Sequence, residues 1–163
     1  MRNTKRTYQV VMIMVLLGIF AGLSLRANAQ VQKVKASLTG HTETQQPLYA
    51  DYKGVRLGMT AAEAREKLGT PALKDVDQDY YVFSDKETAQ IAYNAAGRVV
   101  TISADYLGGV GAPDYKTVVG GELQQTQNGG FYKMVRYESQ GFWVSYNRTT
   151  GPMVTVTITI QKI

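Results

Sequence analysis

Apolar and polar residues alternate along much of the C-terminal two-thirds of this chain. Within residues 88–94, Ala89, Ile91 and Tyr93 take one parity, and Thr88, Gln90 and Ala92 the other. Within residues 99–106, Val100, Ile102, Ala104 and Tyr106 oppose Val99, Thr101, Ser103 and Asp105. Phe142, Val144 and Tyr146 alternate with Trp143, Ser145 and Asn147. The sharpest case is residues 153–160, with Val154, Val156, Ile158 and Ile160 against Thr155, Thr157 and Thr159. A period of two means strands with one buried and one solvated face, the pattern of an antiparallel sheet. Residues 80–84 and 131–138 read as two more strands. Ala95-Ala96-Gly97 reads as a hairpin link, residues 148–152 as a turn, and the glycine-rich stretch 107–113 as a break.

One segment changes period. Residues 60–68 predict a helix, with Thr60 as N-cap and Glu63 three positions on, the spacing of a capping box. Ala61, Ala64 and Leu68 form a narrow apolar stripe, Gly69 supplies the residue after the helix, and Pro71 stops its continuation. So short a helix needs a larger surface to lie on, and the sheet is that surface. The expected class is α+β: a short helix packed on an antiparallel sheet.

The two halves run in parallel. YYVFSDKETAQIAYNAAGRVVTISADY, from Tyr80, and YKMVRYESQGFWVSYNRTTGPMVTVTITI, from Tyr132, each read as strand, tight turn, strand ending in Tyr-Asn, glycine-containing turn and β-branched strand. Tyr115-Lys116-Thr117-Val118 echoes Tyr52-Lys53-Gly54-Val55. Two readings stand: tandem helix-plus-meander units at 47–111 and 112–163, or turn chemistry common to all three-strand meanders. The second half shows no convincing helix, its stretch 120–130 being short and bounded by glycines.

A different pattern opens the chain. Arg2, Lys5 and Arg6 precede an apolar or glycine run at residues 10–23, and Ala27-Asn28-Ala29 fits the small-x-small rule for cleavage before Gln30. The run is 14 residues long, against about 20 for a spanning helix and about 7–15 for a signal core. Residues 1–29 are therefore expected to be a signal peptide, the competing reading being an uncleaved anchor that would hold the protein at a membrane. Residues 30–46 read as a flexible lead-in, with a short strand at 31–38. Residues 47–163 form the folded domain, in a periplasmic or secreted setting. Loss of Arg2, Lys5, Arg6 and Arg26 takes the 18 basic residues to 14, against 13 acidic. A chain that close to neutral lacks the basic footprint for nucleic acid or anionic lipid. It holds no cysteine, and a domain of this size needs no disulfide.

Residues 54–71, GVRLGMTAAEAREKLGTP, carry one resemblance. Leu57-Gly58-Met59-Thr60, Glu63 and Leu68-Gly69-Thr70-Pro71 resemble the opening of the SmpA/OmlA (BamE-like) outer-membrane assembly factors, and the stretch looks like the related fold of the beta-lactamase inhibitory protein. The resemblance implies two tandem helix-plus-sheet units and protein binding through a sheet face. Two features differ: that assembly-factor family is lipid-anchored through a cysteine, and Tyr80-Tyr81 stand where it carries a tryptophan-containing strand.

Catalytic chemistry has few residues to use. Asp75, Asp77 and Asp79 have the spacing that opens a calcium loop, but Tyr80 and Lys86 occupy the positions of the turning glycine and closing glutamate. A solvated loop is the expectation there, with no metal site. His41, the sole histidine, lies in the lead-in. The carboxylate pairs Asp105 with Asp114 and Glu63 with Glu66 carry no mark beyond surface charge, and Asn147-Arg148-Thr149, a glycosylation match, reads as a turn. No cofactor and no enzyme activity are expected. Trp143, by parity on the polar side of its strand, is the candidate partner-binding residue, with Tyr132 and Arg136 sharing its face. The competing reading covers Trp143 with residues 44–58 or the helix. The sequence thus predicts a non-enzymatic protein-binding module of the cell envelope. The alternatives are an envelope component that binds lipid or glycan, and a minor hydrolase.

Overall fold

The computed structural model describes residues 46–163. The expected signal segment, the expected lead-in up to residue 45, the strand expected at 31–38 and His41 lie outside the described residues. The described elements, in order, are helix α1 (Ala61–Leu68), strands β1 (Leu73–Lys74), β2 (Gln78–Ser84), β3 (Glu87–Tyr93) and β4 (Val99–Leu107), helix α2 (Tyr115–Val119), and strands β5 (Gln124–Gln125), β6 (Phe131–Tyr137), β7 (Phe142–Arg148) and β8 (Thr155–Lys162). All eight strands join one antiparallel sheet in the order β1-β2-β3-β4-β8-β7-β6-β5. The order reads the same outward from the central β4–β8 pair, and each side begins with a short helix. The molecule is mostly sheet, with two short helices among the described residues.

Local chemistry sets the joints. The Thr60 hydroxyl accepts from the Glu63 amide at 3.2 Å, and the Glu63 carboxylate accepts from the Thr60 amide at 2.7 Å, closing the capping box. Gly69, at φ 85°, lets the chain leave α1 while its N–H still reaches the Arg65 carbonyl. Between β3 and β4 the Asn94 carboxamide oxygen accepts from the amides of Ala96 and Arg98, and Gly97 takes φ 66°. Helix α2 begins at Asp114, whose carboxylate accepts from the Lys116 amide at 2.8 Å.

The core lies on one face of the sheet. Tyr81 of β2, Ala89, Ile91 and Tyr93 of β3, Ile102, Ala104 and Tyr106 of β4, Val156, Ile158 and Ile160 of β8, and Phe142, Val144 and Tyr146 of β7 are buried there. Tyr52 and Val55 from the entering segment, Ala64 of α1, and Val118 and Val119 of α2 belong to the same cluster. Each fully buried branched aliphatic side chain contributes about 1.5–3 kcal/mol relative to exposure.

Four expectations are corrected. Parity placed Val100 among the inward residues, but a register shift beside Ala92 and Tyr93 sends Val99 inward, fully buried, and leaves Val100 half-exposed. The second half does contain a helix, α2, too short to display a period. The echo between residues 52–55 and 115–118 does not extend to structure: the first is a turn closed by reciprocal Tyr52–Val55 hydrogen bonds, and the second lies in a helix. Asn147 and Arg148 end strand β7 rather than form a turn.

Candidate functional site

The opposite face of the sheet carries three rows of side chains that run strand to strand. The first is Val82, Thr88, Asp105, Thr157, Asn147, Tyr132 and Gln124. The second is Leu73, Tyr80, Gln90, Ser103, Thr159, Ser145 and Met134. The third is Gln78, Ala92, Thr101, Gln161, Trp143 and Arg136. The middle of this face is short and hydroxyl-rich. Its flanks are aromatic and apolar, with Leu73, Tyr80 and Val82 on one side and Tyr132, Met134 and Trp143 on the other.

Trp143, Tyr132 and Arg136 therefore do share one face, as their alternation suggests. Trp143 stands directly opposite Arg136 across the β6–β7 pair and opposite Gln161 on β8. Trp143 is half-buried by its neighbours, whereas Tyr132 and Arg136 are exposed. Among the described residues neither the entering segment nor a helix covers Trp143: Tyr52, Val55, Ala64, Val118 and Val119 all pack on the other side.

Polar side chains on this face are tied to each other. Thr157 donates its hydroxyl to Asp105 at 2.6 Å, Ser103 and Thr159 hydroxyls meet at 3.3 Å, and the Gln90 carboxamide donates to that of Gln78. Arg136 is paired with Glu138 at 2.9 Å. The face is thus pre-arranged, and its two charged side chains, Asp105 and Arg136, are already partnered. Six strands from β2 to β6 span about 24 Å at strand spacing. That is close to the side of a patch of about 800 Å², the usual contribution of one partner to a stable complex. Leu73, Tyr80 and Val82 escaped the sequence analysis because their parity could be assigned only once Asp79 and Tyr81 were known to face inward, whereas Met134 shares the parity of Tyr132 and Arg136 and was legible from it.

The acidic stretch is not a solvated loop throughout. Asp79 is fully buried on the core face and grips Arg65 of α1 through two hydrogen bonds, at 2.8 and 3.0 Å. The Tyr93 hydroxyl donates to the same carboxylate at 2.6 Å, and the Tyr81 hydroxyl lies 3.5 Å away. The hydrogen bond to Asp79 raises the Arg65 guanidinium above its usual value, and burial pushes the Tyr81 phenol up to about 12 and the Tyr93 phenol higher. The four side chains join α1 to the sheet. Asp105, Asp114 and Glu63 likewise have structural partners in Thr157, the Lys116 amide and Thr60. Among the described residues no group of three or more His, Asp or Glu side chains is placed to hold a metal ion, and no helix is long and apolar enough to cross a membrane.

No protein family, curated protein or solved structure is matched by this chain.

Proposed function

We propose that this protein is an exported, non-enzymatic binding module of the cell envelope, periplasmic or secreted, that engages a protein partner through the face bearing Trp143, Tyr132 and Arg136. The observation that supports it most is the continuity of that face: three rows across the sheet, aromatic at both flanks, and uncovered by any described element. Rigid aromatic side chains supply large contact area at low entropic cost, and Trp, Tyr and Arg are the side chains that dominate such interfaces. Because Asp105 and Arg136 are internally paired, the partner is one that presents apolar and hydrogen-bonding groups rather than a charged surface. Binding then varies little with salt.

The finer architecture belongs to the same proposal. Each half is a short helix laid on a four-strand meander, in units 47–111 and 112–163. The symmetric strand order supports duplication of an ancestral α+β unit, with β4 and β8 paired at the seam. The likeness to SmpA/OmlA-type assembly factors and the beta-lactamase inhibitory protein is part of this proposal too, and rests on the motif at residues 54–71.

A photoreactive side chain placed at Met134 tests the reading. It is expected to crosslink one defined envelope protein, with competition by untagged wild type but not by Trp143→Ala. Truncation of a central aromatic contact costs about 2 kcal/mol or more, a loss of roughly thirtyfold in affinity. Equal crosslinking from a photoreactive group at Glu66, on α1 and thus on the other side, would overturn it. So would loss of retention on a glycan column with unchanged protein adducts, which would turn the face into a glycan platform.

A further inference from the structure

At one end of the sheet the core side is left open. A cavity of about 480 Å³ lies where the β3–β4 turn, the β6–β7 connection, the end of β8 and the segment leading to α1 converge. Its apolar lining includes Leu57, Val99, Val100, Phe142 and Ile163, and its basic lining comes from Arg56, Arg98 and Lys162. No aspartate or glutamate side chain lines it. Val99 is fully buried and Phe142 nearly so, whereas Lys162 is exposed and forms no ion pair among the described residues. The Arg98 guanidinium donates to the Gly58 carbonyl at 3.2 Å, which holds it at the rim, and Arg56 sits 3.9 Å from Asp51.

We infer that this cavity is a binding site for a small amphiphilic anion, an apolar chain or ring that carries one carboxylate or phosphate group. The volume falls within the range of about 300–1,000 Å³ typical of small-molecule sites, which pair apolar walls with a few convergent polar groups. An apolar tail removes Leu57, Val100 and Ile163 from water. The headgroup answers Arg98 and Lys162, drawn from two separate segments, with Arg56 beside them in its pair with Asp51, and a guanidinium presents a planar fork suited to carboxylate and phosphate alike. The site is on the opposite side of the sheet from Trp143 and does not depend on the protein-binding reading.

Decanoate, decyl phosphate, decanol and inorganic phosphate serve as probes, followed by amide chemical shifts of the full folded chain and by calorimetry. Decanoate or decyl phosphate, or both, are expected to bind with shifts centred on Gly58, Val100 and Gly141, and their relative affinities identify the headgroup. Decanol and inorganic phosphate are expected to bind at least tenfold more weakly. Lys162→Ala, an exposed and structurally mild change, is expected to weaken the anion about threefold, and Arg98→Ala about tenfold. Val100→Phe fills the mouth and is expected to block binding, while Trp143→Ala leaves it unchanged. Equal binding of decanol and decanoate, shifts centred elsewhere, or unchanged affinity in both cation variants overturns the inference.

Discussion

At the scale of single residues, Asp79 shows how far burial can depart from composition. A carboxylate in an acidic run is expected in water, yet this one is fully buried and holds Arg65, with Tyr93 on the same oxygen pair. The pair is costly to break from one side, because the remaining charge has no solvent to turn to. Arg65→Ala is expected to lower unfolding free energy by on the order of 3 kcal/mol in urea titration. Arg65→Lys, which keeps the charge and loses the fork, should lose less than that. A loss under about 1 kcal/mol for the alanine variant would mean that water reaches Asp79 and that the pair behaves as a surface one. Trp143 is the opposite case. Its parity was legible in the sequence, and alternation with Ser145 and Asn147 assigned its face correctly. Whether that face was covered depended on where distant segments packed.

At the scale of elements, capping chemistry was the most legible feature. Thr60, Glu63, Gly69 and Pro71 act within one turn of backbone, so sequence spacing alone determines their geometry. Thr60→Ala removes the hydroxyl that accepts from the Glu63 amide and is expected to cost about 1 kcal/mol. Melting should fall by about 4 °C for a domain of this size; no shift would show that α1 is held by Arg65 and Ala64 alone. The hydrogen bonds that the Thr60 amide and hydroxyl donate to the Glu63 carboxylate hold it below its ordinary value. That part of the cap is complete above the ordinary carboxylate range and is lost as pH falls through the lowered value. Helix α2 was illegible because five residues complete little more than one turn, and its local marks are the Asp114 cap and Gly120 after its last residue. The bulge at Ala92 and Tyr93 was equally hidden, since one extra residue in a ladder leaves the composition unchanged while it exchanges Val99 for Val100 in the core. Strands β1 and β5, two residues each, end the sheet on both sides. Such short edges leave little template for edge-to-edge pairing.

At the scale of the whole molecule, the β4–β8 pair is the seam. Ile102 pairs with Ile160, Ala104 with Ile158 and Tyr106 with Val156, all buried. Separation of the halves on either side of residues 111–112 would expose both edges at once. Fragments 46–111 and 112–163 are each expected to lack stable structure by circular dichroism and to recover the sheet signal when mixed. A fragment that melts cooperatively alone would assign each half an independent core. The buried phenols supply a second global test. Burial raises Tyr49 and Tyr81 to about 12 and lifts Tyr52, Tyr93 and Tyr106 further. Each is neutral in the fold, so its contribution is full below the ordinary tyrosine value of 10 and is lost as pH rises through the folded value. Unfolding is expected to set in above pH 10, with the sheet signal and the buried-tyrosinate absorbance changing together. Ionisation of these tyrosines with the sheet intact would show that solvent reaches them.

What the sequence by itself determined is everything that acts over a few consecutive residues: which side chains share a strand face, where α1 starts and stops, and where most hairpins turn. Backbone geometry links neighbours directly, and a period of two or a capping box needs no distant partner. Only the tertiary structure decided the strand order, the inward turn of Asp79, the bulge that buries Val99, and the open face that joins Tyr80 on β2 to Met134 on β6. Those features depend on which segments, tens of residues apart in the chain, remove each other from water. That exclusion is a property of the packed molecule, and local spacing does not encode it.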